Sequence, residues 1–284
     1  MLREGVAGVT LEERHVGWVA LALGRPEHLI PLEEPLTWLR SQTVLVTGGR
    51  GSVGQALTGL LEQAGIDAVA TDVDDLDVRQ PVSLGELLPE MTVIFHLAGA
   101  KHADDGEADP EQATLVNTIG TRNMVATGRK VVLASTCKAA DPETAYGASK
   151  LIAERLVLNA GGTVARFYNV VESSGNVFAT WDGLPQWRAV PVTPCSRYLI
   201  SLREAVALLV WAAFLPCGRY TINPGEPQPL IAIARRVYPA RRTSLLFPRR
   251  GDRLVEPRHA ACEWTYQPRP DIPALEGLAS PHDP

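Results

Sequence analysis

The chain reads as an α/β protein, a doubly wound parallel sheet with a smaller C-terminal substrate lobe, on three observations. Short β-branched runs near residues 43–47, 66–71, 92–97, 130–134 and 163–167 alternate with helical patterns near 52–64, 82–88, 110–127 and 143–159. Strands separated by helices of this length pair in parallel through right-handed crossovers. The first run enters a glycine-rich turn directly, Thr43-Val-Leu-Val-Thr-Gly-Gly-Arg-Gly-Ser-Val-Gly54. Beyond the fourth run, Tyr146-Gly-Ala-Ser-Lys150 sets a phenol and an amine one helical turn apart on one face. Together these mark a Rossmann-type sheet.

Residues 1–42 precede the sheet as an N-terminal helix, near Leu11–Leu23, and a proline-marked linker. Residues 43–170 form the dinucleotide-binding domain. In its first turn Gly48 permits the tight bend, Gly51 a close backbone approach to a pyrophosphate, and Gly54 close helix packing. Ser52 and Val53 open the helix, whose free N–H groups and positive dipole end face that anion. Asp72 closes the second strand, where a carboxylate accepts hydrogen bonds from the adenosine ribose and repels a 2′-phosphate. Arg50, inside the turn, pulls the other way, since it can pair with that phosphate. The balance favours NAD as cofactor, with NADP the alternative. The third strand runs from Val93 through His96 into Leu97-Ala98-Gly-Ala, where small residues let backbone lie against the cofactor. No carboxylate or cysteine shares the spacing of His96 and His102, so no metal site is expected.

Residues 171–284 form the substrate-binding lobe and a Pro/Arg-rich tail. The pattern loosens past 170, with frequent Pro and Trp. An amphipathic helix near 202–215, a short strand at 219–222 and a helix near 229–238 follow. The tail after about 267 is expected to be poorly ordered.

Composition narrows the function. A chain of 284 residues with 45% hydrophobic side chains can bury a large core. A net charge of −5 argues against general nucleic-acid affinity, which needs a basic surface. Cys137, Cys195, Cys217 and Cys262 have no metal-type spacing and are too few for a disulfide framework, which fits a reducing cytoplasm. The longest apolar run, Ala205 to Leu215, is too short to span a bilayer, and no signal-type stretch opens the chain. A soluble cytoplasmic protein is expected. Of the 27 basic side chains four are lysines, Lys101, Lys130, Lys138 and Lys150, and the other 23 are arginines. A guanidinium keeps its proton at neutral pH, whereas a buried ammonium can be tuned to act as acid or base. The few lysines therefore point to chemistry.

The stretch from Val131 to Lys150 carries it. A phenol of pKa about 10 is a poor base at neutral pH, and a neighbouring ammonium stabilises its phenolate. Tyr146 and Lys150 have that relation, and Thr136, at the end of the fourth strand, can hydrogen-bond the same substrate oxygen.

The glycine turn followed by Tyr-x-x-x-Lys resembles the extended short-chain dehydrogenases. More specifically, the chain resembles the CapD-like nucleotide-sugar 4,6-dehydratases and epimerases of polysaccharide biosynthesis. Leu23-Gly-Arg-Pro26 through Thr47 resembles the segment joining the membrane part of larger members to their catalytic domain. Phe95-His-Leu-Ala-Gly-Ala-Lys-His102, Asn117-Thr-Ile-Gly-Thr-Arg-Asn123, Ser135-Thr-Cys-Lys-Ala-Ala-Asp-Pro142, Arg166-Phe-Tyr-Asn-Val170, Ser173-Ser-Gly-Asn-Val177, Arg197-Tyr198, Gly225-Glu-Pro227 and Arg249-Arg-Gly-Asp-Arg-Leu254 follow in family order.

The resemblance implies roles. Tyr146 takes the proton of the sugar C4 hydroxyl while the cofactor takes the C4 hydride. Lys150 tunes Tyr146 and holds the nicotinamide ribose, and Lys138 acts on the C5 proton. Asp77, with Val78, resembles the pair that holds the adenine amine, and Leu97, Ala98 and Asn117 join the cofactor site. Lys101, Cys137, Asn169, Val177, Arg197 and Arg249 fall to the nucleotide-sugar substrate. Arginine forks suit a diphosphate, and eight Arg against two acids between 235 and 258 form a basic rim for such a ligand. A UDP-sugar is the favoured substrate. A homodimer is expected on the helices carrying Asn117 and Tyr146, with Leu151, Ile152 and Leu156 as apolar surface.

The chain departs from the family at Cys137, where dehydrating members carry the Asp that protonates the departing C6 hydroxyl. A thiol is a weaker hydrogen-bond donor, so an epimerase or a feeble dehydratase is expected. The region between Asp72 and Met91 is also short. Two other readings stay open: an NADPH-dependent ketoreductase of the same fold, and a non-catalytic dinucleotide-binding protein.

Overall fold

A computed structural model of the chain describes residues 11–81, 90–101, 103–248, 251–256 and 275–278. The expected helix at 82–88, His102, Arg249 and most of the tail lie outside the described residues. In chain order the elements are α1 (Leu11–Leu23), α2 (Glu33–Leu39), β1 (Val44–Thr47), α3 (Ser52–Gln63), β2 (Ala68–Thr71), β3 (Val93–His96), α4 (Ala103–Ala108) and α5 (Pro110–Thr114). A π-helical turn, Leu115–Ile119, carries α5 into α6 (Gly120–Ala126). Then come β4 (Lys130–Thr136), α7 (Ala145–Asn159), β5 (Thr163–Phe167), β6 (Asn169–Val170), α8 (Val177–Asp182), β7 (Val190–Val192), β8 (Ser196–Arg197) and β9 (Leu199–Ile200). The last are α9 (Leu202–Phe214), β10 (Gly218–Ile222), β11 (Gln228–Pro229), α10 (Leu230–Val237), β12 (Thr243–Leu245) and β13 (Leu275–Leu278).

The main sheet has the order β2-β1-β3-β4-β5-β10-β13. Its first six strands are parallel, and β13 closes the edge antiparallel to β10. The fold class read from the sequence is thus the observed one, while the tail expected to be poorly ordered contributes this edge strand. Strands β1 and β3 are buried along their whole length, because helices cover both faces of a parallel sheet and leave no face for polar residues. Alternation sorts β1 by face. Val44 and Val46 enter one core with Leu57 and Leu61 of α3 and Leu208 of α9. Leu45 enters the other with Met124 of α6 and Ala153 and Val157 of α7. The strand order reverses between β1 and β3, and ligands of such sheets bind outside the carboxyl ends of strands at that reversal. Among the described residues no strand lies beyond β2 in the sheet.

Helix α9 differs from its expected amphipathic character: Glu204 through Ala213 are all buried. It lies between the sheet and helices α2 and α3, so both of its faces meet protein. A capping box, Ser201 with Glu204, starts it. Glu204 also takes both forks of Arg25, at 2.6 and 2.9 Å, which fastens the Leu23–Pro26 linker to the end of α9. The division drawn at residue 170 is therefore crossed from both sides. Helix α9 and strand β10 complete the sheet, while α1 packs into the lobe, where Val19 and Leu23 join Phe178, Trp181, Val190 and Ile233.

Candidate active site

The turn after β1 has a shape only glycine permits at two places. Gly48 has φ +72°, and a Cβ there would lie 2.6 Å from the Ala98 nitrogen. A Cβ on Gly54 would lie 2.4 Å from the Gly48 carbonyl oxygen. Helix α3 begins at Gly51 with no side-chain cap, so its first N–H groups and dipole are offered to an anion. Ala98 N–H donates to Thr47 Oγ1 at 3.3 Å, which lays the Leu97–Ala98 backbone against the turn. Deeper in, Asn117 Nδ2 donates to Ala100 O and Ser149 Oγ, while its buried Oδ1 accepts from no described group. That oxygen and Lys150 Nζ converge on Gly99, 2.9 and 3.6 Å from where a Cβ would stand. An anion-binding turn, an orphaned buried acceptor and an ammonium along one crevice fit a nicotinamide dinucleotide.

Around the expected adenosine end, Asp72 accepts the Arg50 N–H at 3.1 Å. The Arg50 guanidinium is turned to Asp74 and Asp75, at 2.7 and 2.9 Å. The Asp74 hydrogen bond and the Asp75 charge hold it above the usual arginine range. The Asp77 carboxylate is engaged by Arg79, whose hydrogen bonds hold it below the usual carboxylate range even though burial opposes its charge. Val78 packs against Gly120. His96 is a core residue: its ring joins Thr47 Oγ1 at 2.8 Å and Thr121 Oγ1 at 3.1 Å. Burial, then the charge of Lys150, push it down to about 3, so it stays neutral and ties β1, β3 and α6 together.

Strand β4 ends in Thr136, and Thr144 caps α7 by accepting the Gly147 N–H at 3.0 Å. Tyr146 is therefore fixed in the first turn of α7, with Lys150 one turn on, both buried. Burial raises the Tyr146 phenol; the charge of Lys138 and a hydrogen bond with Thr136 work against it. Burial lowers Lys150 to about 8, against the pull of Glu154. Of the charges acting on the phenol, that of Lys138 counters its burial most.

A cavity of about 430 Å³ opens beside them, lined by Lys101, Lys138, Asn169, Val177, Arg197 and Glu256 among others. That size suits a small organic ligand. Four residues assigned to substrate from sequence, Lys101, Asn169, Val177 and Arg197, are brought together on its wall with Lys138. Lys101 reaches Ser174 Oγ at 2.9 Å, and Ser174 N–H donates to Ser52 Oγ at 2.8 Å, which links the cavity to the glycine turn. Cys137 is a correction. It is fully buried, is not part of the cavity wall, and directs its thiol at Glu256 Oε2, 3.6 Å away. Burial and then the Glu256 charge push it up to about 12, so it holds its proton behind the wall.

Sequence reasoning missed Glu256. Its Oε1 lies 2.6 Å from Lys138 Nζ and 3.6 Å from Arg197 Nε, and its Oε2 accepts from Asn169 Nδ2 at 2.6 Å. Burial disfavours its charge, but Lys138 and Arg197 hold it below the usual carboxylate range. For Lys138 burial likewise opposes the charge, and Cys137, Glu256 and Tyr146 raise it above the usual lysine range. The only available signal was position, two residues past the matched Arg249–Leu254 motif.

Fold and crevice define the class, an extended short-chain dehydrogenase of the CapD-like branch. Residues 71–244, more than half the chain, match the model of the polysaccharide biosynthesis protein family, and the chain belongs to that family. It is 30% identical over 216 residues, 63% of this chain and 65% of the relative, to an uncharacterized membrane protein of Methanocaldococcus jannaschii. It is 27% identical over 259 residues, 76% of this chain and 43% of the relative, to the probable polysaccharide biosynthesis protein EpsC of Bacillus subtilis. To a UDP-glucose 4-epimerase of Rickettsia rickettsii it is 28% identical over 212 residues, 60% of this chain and 62% of the relative. The chain thus spans between 43% and 65% of the length of these curated relatives. Among solved structures, dTDP-4-dehydrorhamnose reductase of Bacillus anthracis with NADP superposes with TM-score 0.69 at 18% identity, over 82% of this chain and 94% of that one. UDP-glucose 4-epimerase of Thermus thermophilus with NAD gives 0.65 at 21%, over 75% and 89%. These two share the fold. No helix among the described residues is long and apolar enough to cross a membrane.

Proposed function

We propose that the chain is an NAD(P)-dependent enzyme that oxidises a nucleotide-activated sugar at C4, as the opening step of epimerisation or dehydration in polysaccharide or glycan biosynthesis. The observation that carries this reading is a cavity whose wall bears Lys138, Lys101, Asn169 and Arg197, with Lys138 acting in turn on the Tyr146 phenol that Thr136 hydrogen-bonds. A nicotinamide dinucleotide held by the glycine turn, Asn117 and Lys150 would accept and return the hydride. Tyr146 accepts the C4 hydroxyl proton, and Thr136 holds the same oxygen. Lys138 keeps the phenolate accessible by its charge and stands where a C5 proton would be exchanged. Lys101 and Arg197 supply cationic groups of the wall that a diphosphate would meet, which favours UDP-sugars as the class to test first.

NAD is the preferred cofactor in this reading. Asp74 and Asp75 already occupy the Arg50 guanidinium, and with Asp72 they concentrate negative charge where a 2′-phosphate would stand. The chain acts as a homodimer on α7, where Ile152 is half exposed.

Incubating the purified chain with NAD and a panel of UDP- and dTDP-hexoses, followed by mass and NMR analysis, tests the reading. Expected is an isomer or a product lighter by one water, without consumption of cofactor. Stoichiometric consumption of NADPH would make the protein a ketoreductase, and no turnover with any sugar would make it a binding protein.

A further inference from the structure

A second cavity, of about 520 Å³, shares no wall residue with the first. Its floor is apolar, made by Ala56 and Leu60 of α3 and by Leu202, Val206 and Ala207 of α9. The linker from Glu27 to Glu33 forms a wall. Contacts of its own fix that wall. Arg25 forks onto Glu204, His28 N–H donates to Glu204 Oε1 at 2.8 Å, and the His28 ring meets Asn223 O at 3.1 Å. Further along, Trp211 Nε1 donates to Pro31 O at 2.8 Å. At the far side Glu172 accepts the Leu202 N–H at 2.6 Å. Glu27 is the exception. Its Oε1 is shut off from solvent and accepts from no described group. A buried carboxylate oxygen without a donor is costly, and this one belongs to a residue that lines a space large enough for a ligand.

We propose that this cavity is a second binding site, separate from the active site, for a small organic cation: a primary ammonium or guanidinium carried on an apolar body. The charges around it select that class. Glu27, Glu33 and Glu172 bring three carboxylates and Arg203 one guanidinium, so the wall is negative on balance. Arg203 is exposed and leaves the Glu27 oxygen unpartnered. A cationic N–H donor satisfies that oxygen with a charge-assisted hydrogen bond, while the side chains of α3 and α9 cover an aliphatic or aromatic body. An anion would meet the excess of carboxylates, and a wholly apolar molecule would leave Glu27 unpaired, so both bind more weakly. The fixed wall favours binding, since little has to be ordered when the ligand enters. Nothing in this site depends on the C4-oxidation reading.

The test titrates the full chain with phenethylammonium, and with 2-phenylethanol as a neutral molecule of the same shape. The amide NMR shifts of Ala56, Leu60 and Ala207 report where each one binds. Expected is saturable binding of the cation at these amides with a dissociation constant on the order of 1 mM or lower, and binding of the alcohol at least about tenfold weaker. Glu27→Gln should weaken the cation at least about tenfold and leave the alcohol unchanged, which a misfolded variant would not do. Ala56→Phe, which fills the cavity from its floor, should abolish binding of both. Equal affinity for cation and alcohol overturns the proposal, as does a Glu27→Gln variant that binds the cation as wild type does. Saturable shifts elsewhere on the chain, or no saturable binding of the cation in the millimolar range, overturn it as well.

Discussion

Two buried carboxylates, Glu154 and Glu256, sit in opposite circumstances. Glu154 on α7 is inaccessible and takes Ser135 Oγ at 2.5 Å, Arg166 Nε and Nη2 at 2.7 and 2.6 Å, and Arg219 Nε at 3.3 Å. It joins β4, β5 and β10 behind Lys150. Glu256 faces a cavity and has one close cationic partner, Lys138, which is 27% exposed. The difference lies in the partners. Arginine cannot release its proton, so a carboxylate between two of them is a fixed strut. Lys138 is partly exposed, so the Lys138–Glu256 pair can present its charges to whatever fills the cavity. In a chain with four lysines and 23 arginines, this distribution separates scaffold from chemistry.

The comparison breaks if both carboxylates behave alike. Glu154→Gln should cost about 3–5 kcal/mol in urea unfolding, because it leaves two buried guanidinium groups uncompensated. An unfolding midpoint close to wild type would show that this network is not structural. On the cavity side the expected signature is the reverse. Tyr146→Phe should lower turnover by about 10²–10⁴-fold by removing the proton acceptor, with urea stability lowered by no more than about 1.5 kcal/mol for the lost hydrogen bond. Residual activity above a tenth of wild type would reassign the base.

Lys150 lies between the two regions and sharpens the contrast through pH. Its folded pKa of about 8 is below the ordinary lysine value of 10.5. Between these values the unfolded chain binds the proton and the folded chain does not, so its share of stability rises with pH through that window and is lowest, and flat, below it. Lys150→Met, measured on the cofactor-free protein, should gain roughly 3 kcal/mol at pH 7 and lose the pH-dependent rise. A variant less stable than wild type at pH 7 contradicts that burial cost. The smallest effect concerns the turn. Asp72→Ala should weaken NAD binding by about 1–3 kcal/mol, the range for charge-assisted hydrogen bonds to ribose, and so narrow the preference over NADP in titration calorimetry. Tighter binding of NADP by wild type would reverse the cofactor assignment.

What could be read beforehand was local. The Val44–Gly54 strand-turn-helix, the Tyr146–Lys150 spacing and the βα alternation each depend on residues within a few turns of one another, where steric and hydrogen-bonding rules act on neighbours in the chain. The errors were nonlocal. Helix α9 was read as amphipathic because its pattern does not tell that α2 and α3 will cover its second face. Cys137 was read as facing substrate because its motif position does, whereas the fold turns its thiol toward Glu256.

The sequence alone determined a parallel α/β sheet, a glycine turn shaped for an anion at the end of β1, and a phenol with an amine one turn behind it, since chain sterics and helical periodicity suffice for each. Only the tertiary structure decided which charges meet. It set Lys138 against Tyr146 and Glu256, gave Glu154 to two arginines, and turned Arg50 to Asp74 and Asp75. Pairing of buried charges depends on distances and desolvation across segments remote in the chain, and those are set only when the core closes.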